Sequence, residues 1–323
     1  MGTPRFAIPA LDAVLAVSDV QAVVTRPDRP KGRGLRVEPS AVATAAMQYG
    51  LEVLQPPSLR DGAFLQRLLE LSPDILVIVA FGRLIPLDVV GIPPLGGINL
   101  HPSLLPRYRG AAPIPRAIAA GETETGVTIL YIAEELDAGD IILQRAVPID
   151  PEDTTRTLEA RLAREGAELL AEALRFLEAG TAPRRPQDPA QATVAPKLSR
   201  AEGLIRWNMS AAQIVNLIRA FDPWPVAYTR VDGTELRIWR AKAPGNAPPP
   251  PEVVQAPGTV LRAAEAEGEP LVVAAGEGSV AIYEVQPASG RRMSAAAYLR
   301  GHPIAPGTVL GGPHRAPSSL PRR

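Results

Sequence analysis

Along the first two thirds of the chain, short apolar runs alternate with stretches whose apolar residues recur at helical spacing. Two of the runs, Val20–Thr25 and Asp74–Ala80, are rich in β-branched residues, which is typical of parallel strands buried on both faces. Helices are predicted between them at Ala41–Tyr49 and Gly62–Leu71. Such alternation predicts an α/β domain with a doubly wound, Rossmann-like sheet.

The same alternation continues beyond these elements. Further strands are predicted at Gly97–Leu100, Val127–Ile132 and Ile141–Val147. Leucines at helical spacing then predict one long amphipathic helix that ends at Gly180. These leucines are Leu158, Leu162, Leu169, Leu170, Leu174 and Leu177.

The opening of the chain does not fit a complete sheet. Met1-Gly-Thr-Pro is typical of the turn that follows a first strand, and Pro9–Val17 supplies the first helix, yet no apolar run precedes the turn. The first strand of a doubly wound sheet is usually central, and its omission would leave backbone groups of both neighbours unpaired. We therefore expect the natural start to lie a few codons upstream.

A second region follows a proline-rich segment. Residues 181–203 contain four prolines and no periodic apolar pattern, which predicts a semi-rigid linker. A helix is predicted near Ala211–Phe221, and Asp232–Gly233 is a two-residue hairpin signal. Strands are predicted at Val226–Val231, Glu235–Arg240, Thr259–Arg262, Leu271–Ala275 and Val280–Val285. Short strands at this density indicate a small β-barrel of the oligonucleotide-binding (OB-like) kind, although an unrelated small β domain also fits.

The predicted domain boundaries follow from these elements. The α/β domain spans residues 1–180, the linker 181–203, the β-barrel domain 204–311 and a flexible tail 312–323. The Pro-rich stretch Ala243–Pro251 is also predicted to be poorly ordered.

Composition excludes several kinds of site. The chain has 323 residues, 46% hydrophobic and 21% charged, as in ordinary soluble globular proteins. It has no cysteine, so disulfides, thiolate metal sites and cysteine nucleophiles are excluded, and with three histidines we expect no metal. No apolar run approaches the ~20 residues of a membrane helix. We therefore expect a cytoplasmic protein without a membrane contact.

Charge is distributed unevenly, although the net charge of the chain is zero. Residues 204–323 contain 13 Lys and Arg against 9 Asp and Glu, a net charge of +4. The irregular loop 26–36 carries five basic residues against Asp28 alone. Basic surfaces of this kind suit an anionic partner, and a solvated surface explains the composition equally well.

Candidate chemistry is concentrated at the end of one predicted strand and in one loop. Asn99 and His101 are two residues apart, so on an extended backbone they point to the same side and could bind one carbonyl oxygen. Asp137 and Asp140 lie in a turn between two predicted strands, which Gly139 allows to be tight. An aspartate there could orient His101 and favour its imidazolium form.

These residues also allow other interpretations. Taken singly, a histidine after a strand is more often structural, and the LDAGD loop is an ordinary turn sequence. Ser103 lies outside a G-x-S-x-G elbow and only two residues from His101, which argues against a Ser/His/Asp hydrolase. A dinucleotide site is also disfavoured, because no G-x-G-x-x-G motif follows a strand.

The chain resembles the folate-dependent formyltransferases over its whole length. The core of the resemblance is HPSLLPRYRGAAPI at His101–Ile114, with Asn99 before it and LDAGD at Leu136–Asp140 after it. Further matches are the opening GTP, the basic loop TRPDRPKGRG, AFG, KLS, FDPWP and RGHP. The basic loop, RGAAPI and FDPWP are similar to the branch that acts on tRNA. The departures are Phe81, where a tyrosine is common, and the missing first strand.

The resemblance implies a reaction and roles for the matching residues. It implies 10-formyltetrahydrofolate as the formyl donor and the α-amine of methionine on initiator tRNA as the acceptor. Asn99, His101 and Asp137 match the family's catalytic trio. Asn99 and protonated His101 would donate hydrogen bonds to the formyl oxyanion, and Asp137 would hold the imidazolium and relay a proton. Neither a covalent enzyme intermediate nor a metal is required.

The resemblance also implies the binding residues. The folate contacts are Ser103, Leu104, Leu105, Pro106 and Asp140. The tRNA contacts are Arg29, Lys31, Arg33, Arg36 and Lys197. A two-domain clamp of this kind needs no partner subunit, so we expect a monomer.

The sequence alone leaves two rival functions open. One is an enzyme of the same family with a small acceptor, namely water, a sugar amine or a ribonucleotide amine. The other is a nucleic-acid-binding protein whose catalytic domain is inactive. The basic regions argue against the first, and the intact Asn99, His101 and Asp137 argue against the second.

Overall fold

The computed structural model describes residues 1–31, 36–243, 255–264 and 266–311, with only the backbone of 29–31 and 36. The chain forms two compact units. The first contains Met1–Ile114, Glu124–Ile149 and Thr157–Lys197, and the second contains Pro115–Thr123, Asp150–Arg156 and Leu198–Arg323. The predicted tail 312–323 and most of Ala243–Pro251 lie outside the described residues.

The elements as far as Glu178 alternate between strands and helices, as the sequence pattern predicts. In chain order they are α1 (Ile8–Val17), β1 (Val23–Val24), β2 (Arg29–Lys31), β3 (Arg36–Glu38), α2 (Ala41–Gln48), β4 (Val53–Leu54), α3 (Gly62–Leu71), β5 (Leu76–Val79), α4 (Leu87–Val90), β6 (Gly97–His101), α5 (Pro113–Ala120), β7 (Glu124–Tyr131), β8 (Ile141–Pro148) and α6 (Thr155–Glu178). Short 3-10 helices occur at Arg5–Ala7, Pro189–Gln191 and Arg200–Gly203.

Strand pairing in the first unit is parallel and then antiparallel. Strand β1 pairs in parallel with β4, and β5 pairs in parallel with β6. Strand β7 pairs antiparallel with β6, and β8 pairs antiparallel with β7. A short loop joins β7 to β8, and a loop of that length connects antiparallel strands only. The α/β fold class is confirmed, with an antiparallel hairpin at one edge of its sheet.

The first two residues occupy a strand position between β1 and β5. The N–H of Gly2 donates to the carbonyl oxygen of Val24 (3.1 Å), and the N–H of Val79 donates to that of Met1 (2.9 Å). The Met1 amine donates to the carbonyl oxygen of Val77 at 2.6 Å. Burial of this amine lowers its pKa from 8.0 to about 5.

A cavity lies beside this two-residue segment. Its volume is about 750 Å³, and its lining includes Met1, Gly2, residues 20–24, residues 74–77 and Leu174. The predicted strand Val20–Thr25 is therefore shorter in the structure, where only Val23 and Val24 form ladder pairs. Residues 20–22 border the cavity instead of another strand.

The predicted linker is folded along the first unit as far as Lys197. We call residues 185–195 the strap. Arg185 exchanges two backbone hydrogen bonds with Ile141, the first residue of β8, and the N–H of Arg109 donates to the carbonyl oxygen of Thr193. Gly110, at φ +116, has no room for a side chain, because a Cβ there would lie 2.9 Å from the carbonyl oxygen of Ala195. The strap thus borders the polar segment that follows β6.

Within its described residues, the second unit contains the five predicted strands and one more. Its elements are α7 (Ala211–Ala220), β9 (Ala227–Val231), β10 (Thr234–Lys242), β11 (Val260–Arg262), β12 (Leu271–Ala274), β13 (Ser279–Pro287), β14 (Met293–Ser294) and α8 (Ala295–Gly301). The sheet order is β11-β12-β13-β10-β9, with β14 paired to β13. Asp232 and Gly233 both have positive φ (48° and 80°), as the predicted hairpin turn requires. The small antiparallel β domain is confirmed.

Candidate active site

Strand β6 carries the first two members of the predicted trio. Asn99 is half-buried and His101 is 4% exposed. Between them, Leu100 is turned the other way and lies in the core at 2% exposure. Both polar residues reach the loop that joins β7 to β8, which agrees with the period-two alternation of an extended strand.

Asp137 contacts both of the other members of the trio. Its Oδ1 accepts a hydrogen bond from Nδ2 of Asn99 at 3.3 Å, and its Oδ2 lies 3.5 Å from Nδ1 of His101. The backbone N–H of Gly110 donates to Oδ2 at 2.9 Å. The Asp137 carboxylate is 8% exposed, so water screens these interactions little.

The second ring nitrogen of His101 is also engaged. Its Nε2 lies 2.9 Å from the carbonyl oxygen of Tyr108. A carbonyl only accepts, so Nε2 carries a hydrogen and donates to it, while Nδ1 faces Asp137. Both nitrogens therefore contact protein atoms, which was not foreseen when His101 was interpreted as a donor to substrate.

Asp137 is held in an unusual backbone conformation. Its φ is +54°, in the left-handed region that residues other than glycine seldom adopt. Two positions later, a Cβ on Gly139 would lie 1.8 Å from the carbonyl oxygen of Tyr131. The loop is therefore pressed against the end of β7, and this close approach requires glycine at position 139.

The turn predicted to contact folate is built around Ser103. Its hydroxyl is fully buried and donates to the carbonyl oxygen of Arg107 at 2.7 Å, and its own carbonyl accepts from Oγ1 of Thr128 at 2.6 Å. Leu105 is 4% exposed, whereas Leu104 and Pro106 are half-buried. The Ser103 side chain thus shapes the turn, and the more open residues of the turn are Leu104 and Pro106.

Asp140 lies apart from the trio contacts. Its Oδ2 is 3.7 Å from Nη1 of Arg184, and the two side chains are 35% and 60% exposed. The Arg184 guanidinium carbon in turn lies 3.7 Å from the centre of the Tyr131 ring. Asp140 therefore faces a basic residue at the mouth of the loop, and its predicted folate contact stays a prediction.

Two residues at the site were missed by the sequence interpretation. Arg109 is 9% exposed and binds Gln187 in the strap through Nε (3.1 Å) and Nη2 (2.9 Å). Gln187 binds the carbonyl oxygens of Asp137 and Gly139 at 2.7 and 2.9 Å. Arg109 stands inside the quoted RYRG motif, whereas nothing in a Pro-rich segment marks Gln187 as part of the site.

The predicted tRNA contacts are only partly described. Arg29 and Lys31 lie on β2, and Arg36 lies on β3, which together form an antiparallel hairpin. Arg33 lies outside the described residues. Lys197 is exposed at the end of the first unit. These assignments stay predictions.

The described residues contain neither a cluster of metal-binding side chains nor a membrane-spanning helix. Among these residues, three or more His, Asp or Glu side chains nowhere converge on a position that could hold a metal ion. None of the helices within the described ranges combines the length and hydrophobicity needed to cross a membrane.

Comparisons with known proteins agree with both units of the fold. A family model described as "Formyl transferase" matches residues 8–174, which include the trio, and one described as "Formyl transferase, C-terminal domain" matches residues 197–303. Two curated relatives are the methionyl-tRNA formyltransferases of Moorella thermoacetica and Syntrophus aciditrophicus. Each is 46% identical over 312 residues, covering 96% of this chain and 98% and 97% of the relatives.

A solved structure shares the fold. It is the N-formyltransferase of Helicobacter canadensis, described in complex with folinic acid and dTDP-3-aminofucose. The TM-score is 0.64 at 19% identity, covering 90% of this chain and 97% of that one.

Proposed function

Because this chain belongs to the formyl transferase family, we propose that it transfers the formyl group of 10-formyltetrahydrofolate to the amino group of methionine on initiator tRNA, for translation initiation. The observation that carries this proposal is the identity of 46% to methionyl-tRNA formyltransferases over 96% of the chain. The cluster of Asn99, His101 and Asp137 within the matched region supports it.

The reaction exchanges one carbon–nitrogen bond for another. The neutral amine of the aminoacyl ester attacks the formyl carbon, and negative charge develops on the formyl oxygen. The new C–N bond forms, the bond to the folate nitrogen breaks, and the proton lost by the amine passes to that nitrogen. The enzyme must therefore stabilise an oxyanion and move one proton.

The geometry supports a division of these tasks. Asn99 is the half-buried amide of the trio, and we assign it the hydrogen bond to the formyl oxygen. Asp137 accepts the proton from the attacking amine and returns it to the leaving nitrogen, directly or through water. His101 acts through its charge beside Asp137, since its Nε2 is held by the Tyr108 carbonyl.

The substrates are placed by the residues that flank the trio. Leu104 and Pro106, the half-buried members of the turn, and Asp140 would bind the folate, while Ser103 and Leu105 shape that turn. The residues predicted to bind tRNA phosphates would contribute affinity and would not distinguish one nucleotide sequence from another. These residues are Arg29, Lys31, Arg33, Arg36 and Lys197. A cytoplasmic location, a monomeric state and independence from metals belong to the same proposal.

The test is transfer of labelled formyl from 10-formyltetrahydrofolate to charged initiator Met-tRNA, with elongator Met-tRNA and free methionine as controls. Transfer to the initiator alone supports the proposal. Hydrolysis of the folate, or transfer to a small amine with no tRNA product, would overturn the proposed acceptor while leaving the formyl chemistry in place.

A variant of the trio tests the mechanism. Asp137→Asn preserves the size of the side chain and removes its charge and basicity. We expect kcat to fall by about 10²–10⁴-fold, the range of general acid–base contributions. Wild-type turnover by a folded Asp137→Asn protein would remove Asp137 from the proton transfer. Asp188→Asn, a change at an exposed carboxylate of the strap that caps a short 3-10 helix, serves as the matched control.

A further inference from the structure

The side-chain amide of Gln187 connects two loops of the candidate active site. Its Nε2 donates to the carbonyl oxygens of Asp137 (2.7 Å) and Gly139 (2.9 Å). Its Oε1 accepts from Nε (3.1 Å) and Nη2 (2.9 Å) of Arg109. One residue of the strap therefore binds both the loop that carries Asp137 and the segment that follows β6.

The partners of Gln187 fix the orientation of its amide. Carbonyl oxygens only accept and guanidinium groups only donate, so the nitrogen must face the loop and the oxygen must face Arg109. Both hydrogens and both lone pairs of the amide are then used. A glutamate of the same length could bind Arg109 but could not donate to either carbonyl.

The Asp137 loop needs such external support. A left-handed conformation is strained for a residue with a Cβ, and Asp137 has φ +54°. Strained conformations persist where the surroundings determine them. Gln187 binds the carbonyl oxygen of Asp137 itself and that of Gly139 two residues later, so it holds the backbone on which the carboxylate is mounted.

Arg109 extends the same support to the other contacts of the trio. It lies between Tyr108, whose carbonyl oxygen binds His101, and Gly110, whose N–H binds Asp137. Its side chain is 11% exposed, and its Nη1 also binds Glu135 at 3.1 Å. The Gln187–Arg109 pair thus joins the segment 108–110, which binds Asp137 and the His101 ring, to the loop that carries Asp137.

We propose that Gln187, together with Arg109, is a positioning residue that sets the place of the Asp137 carboxylate relative to Asn99 and His101. The proposal rests on the proposed function for its catalytic consequence. Neither residue touches the amine nitrogen or the formyl group. Their effect passes through Asp137, so it belongs to the chemical step and leaves substrate binding unchanged.

The test compares Gln187→Glu with Gln191→Glu, the same substitution four residues along the strap at an exposed side chain that binds Asp188. For Gln187→Glu we expect kcat to fall at least tenfold while KM for each substrate stays within about twofold. Gln191→Glu should retain wild-type kcat. A change confined to KM, or equal losses in both variants, would overturn the proposal.

A double-mutant cycle separates positioning from a general structural effect. If Gln187 acts through Asp137, adding Gln187→Glu to Asp137→Asn should change the residual turnover less than twofold. An additional loss of tenfold in the Asp137→Asn background would overturn the proposal, because the residue would then act independently of Asp137.

A spectroscopic readout keeps this inference separate from the proposed function. The amide proton of Gly110 donates to Asp137 Oδ2. Its resonance should shift in Gln187→Glu and stay in place in Gln191→Glu; an unmoved Gly110 resonance in Gln187→Glu would overturn the positioning role. Wild-type formyl transfer, measured in parallel, reports on the proposed function alone.

Discussion

Nε2 of His101 lies 2.9 Å from the carbonyl oxygen of Tyr108, which ties the imidazole to the segment following its own strand. The ring is 4% exposed, so this hydrogen bond is shielded from water. The histidine supports the local fold, because its removal takes away the hydrogen bond to the Tyr108 carbonyl oxygen.

We therefore expect His101→Ala to lose both activity and stability. Turnover should fall about 10²-fold or more. The free energy of unfolding should fall by roughly 0.5–1.5 kcal/mol from the lost hydrogen bond, with a further loss from the cavity. Urea titration and steady-state kinetics measure the two effects. The control is His302→Ala at the stacked Tyr298–His302 pair of the second unit. Full stability of His101→Ala would contradict the buried hydrogen bond.

Gly139→Ala should displace the Asp137 loop. The added Cβ would meet the carbonyl oxygen of Tyr131 at 1.8 Å, so the backbone has to move. We expect a loss of roughly 1–3 kcal/mol in unfolding free energy, as for overpacked sites, together with a large drop in kcat. Gly62→Ala is the matched control, because a Cβ there meets nothing within 4 Å. A Gly139→Ala protein with wild-type kcat would show that the loop tolerates the shift.

An apolar segment joined ahead of Met1 is expected to stabilise the first unit. The cavity of about 750 Å³ beside Met1 and Gly2 is bordered by β1 and β5, so five or six β-branched residues could enter it as a strand. The buried amine would become an ordinary peptide N–H. Thermal unfolding of this extension should show a higher Tm than a Gly-Ser extension of the same length. Equal Tm values would mean that the cavity does not accept a strand.

Glu159 on α6 should make stability depend on pH. Burial raises the pKa of its carboxyl group above the ordinary value of 4.5. The folded state then holds this proton more tightly than the unfolded state, so stability falls as pH rises through the folded pKa. Glu159→Gln removes that loss. Its denaturation midpoint should exceed that of wild type at pH 7 and match it near pH 4, whereas a gap that persists at pH 4 would contradict the assignment.

The hairpin formed by β2 and β3 should contribute to the salt dependence of tRNA binding. If Arg29 and Lys31 contact phosphates, each substitution to Gln should reduce the slope of log K against log salt concentration by roughly 1. The control is Arg60→Gln, at an exposed arginine 3.6 Å from Asp88. Filter-binding titrations at several salt concentrations give the slopes. Unchanged slopes for Arg29→Gln and Lys31→Gln would remove the hairpin from the tRNA interface.

Features with local causes could be predicted from the sequence. Helix α3 occupies the predicted range, because the Asp61 side chain caps its N-terminus and Ser72 ends it in a left-handed conformation. The Asp232–Gly233 turn follows from two residues that tolerate positive φ. Asn99 and His101 face one side because strand periodicity leaves no alternative.

Features with long-range causes could not be predicted. The antiparallel placement of β7 depends on pairing with a strand whose residues lie 27 to 33 positions earlier in the chain. Gln187 lies 50 residues from Asp137, and a Pro-rich segment gives no periodic signal of such a contact.

The course of the strap determines where the chain can be cut without removing contacts of the candidate active site. A fragment cut after α6, at residue 180, would keep Asn99, His101 and Asp137 and would lose Gln187 together with the backbone that pairs with Arg109. A fragment that continues to Lys197 would keep them all. Chimeras that exchange the chain from Leu198 onwards between relatives should therefore be joined after Lys197, so that the strap comes from the same relative as Asn99, His101 and Asp137.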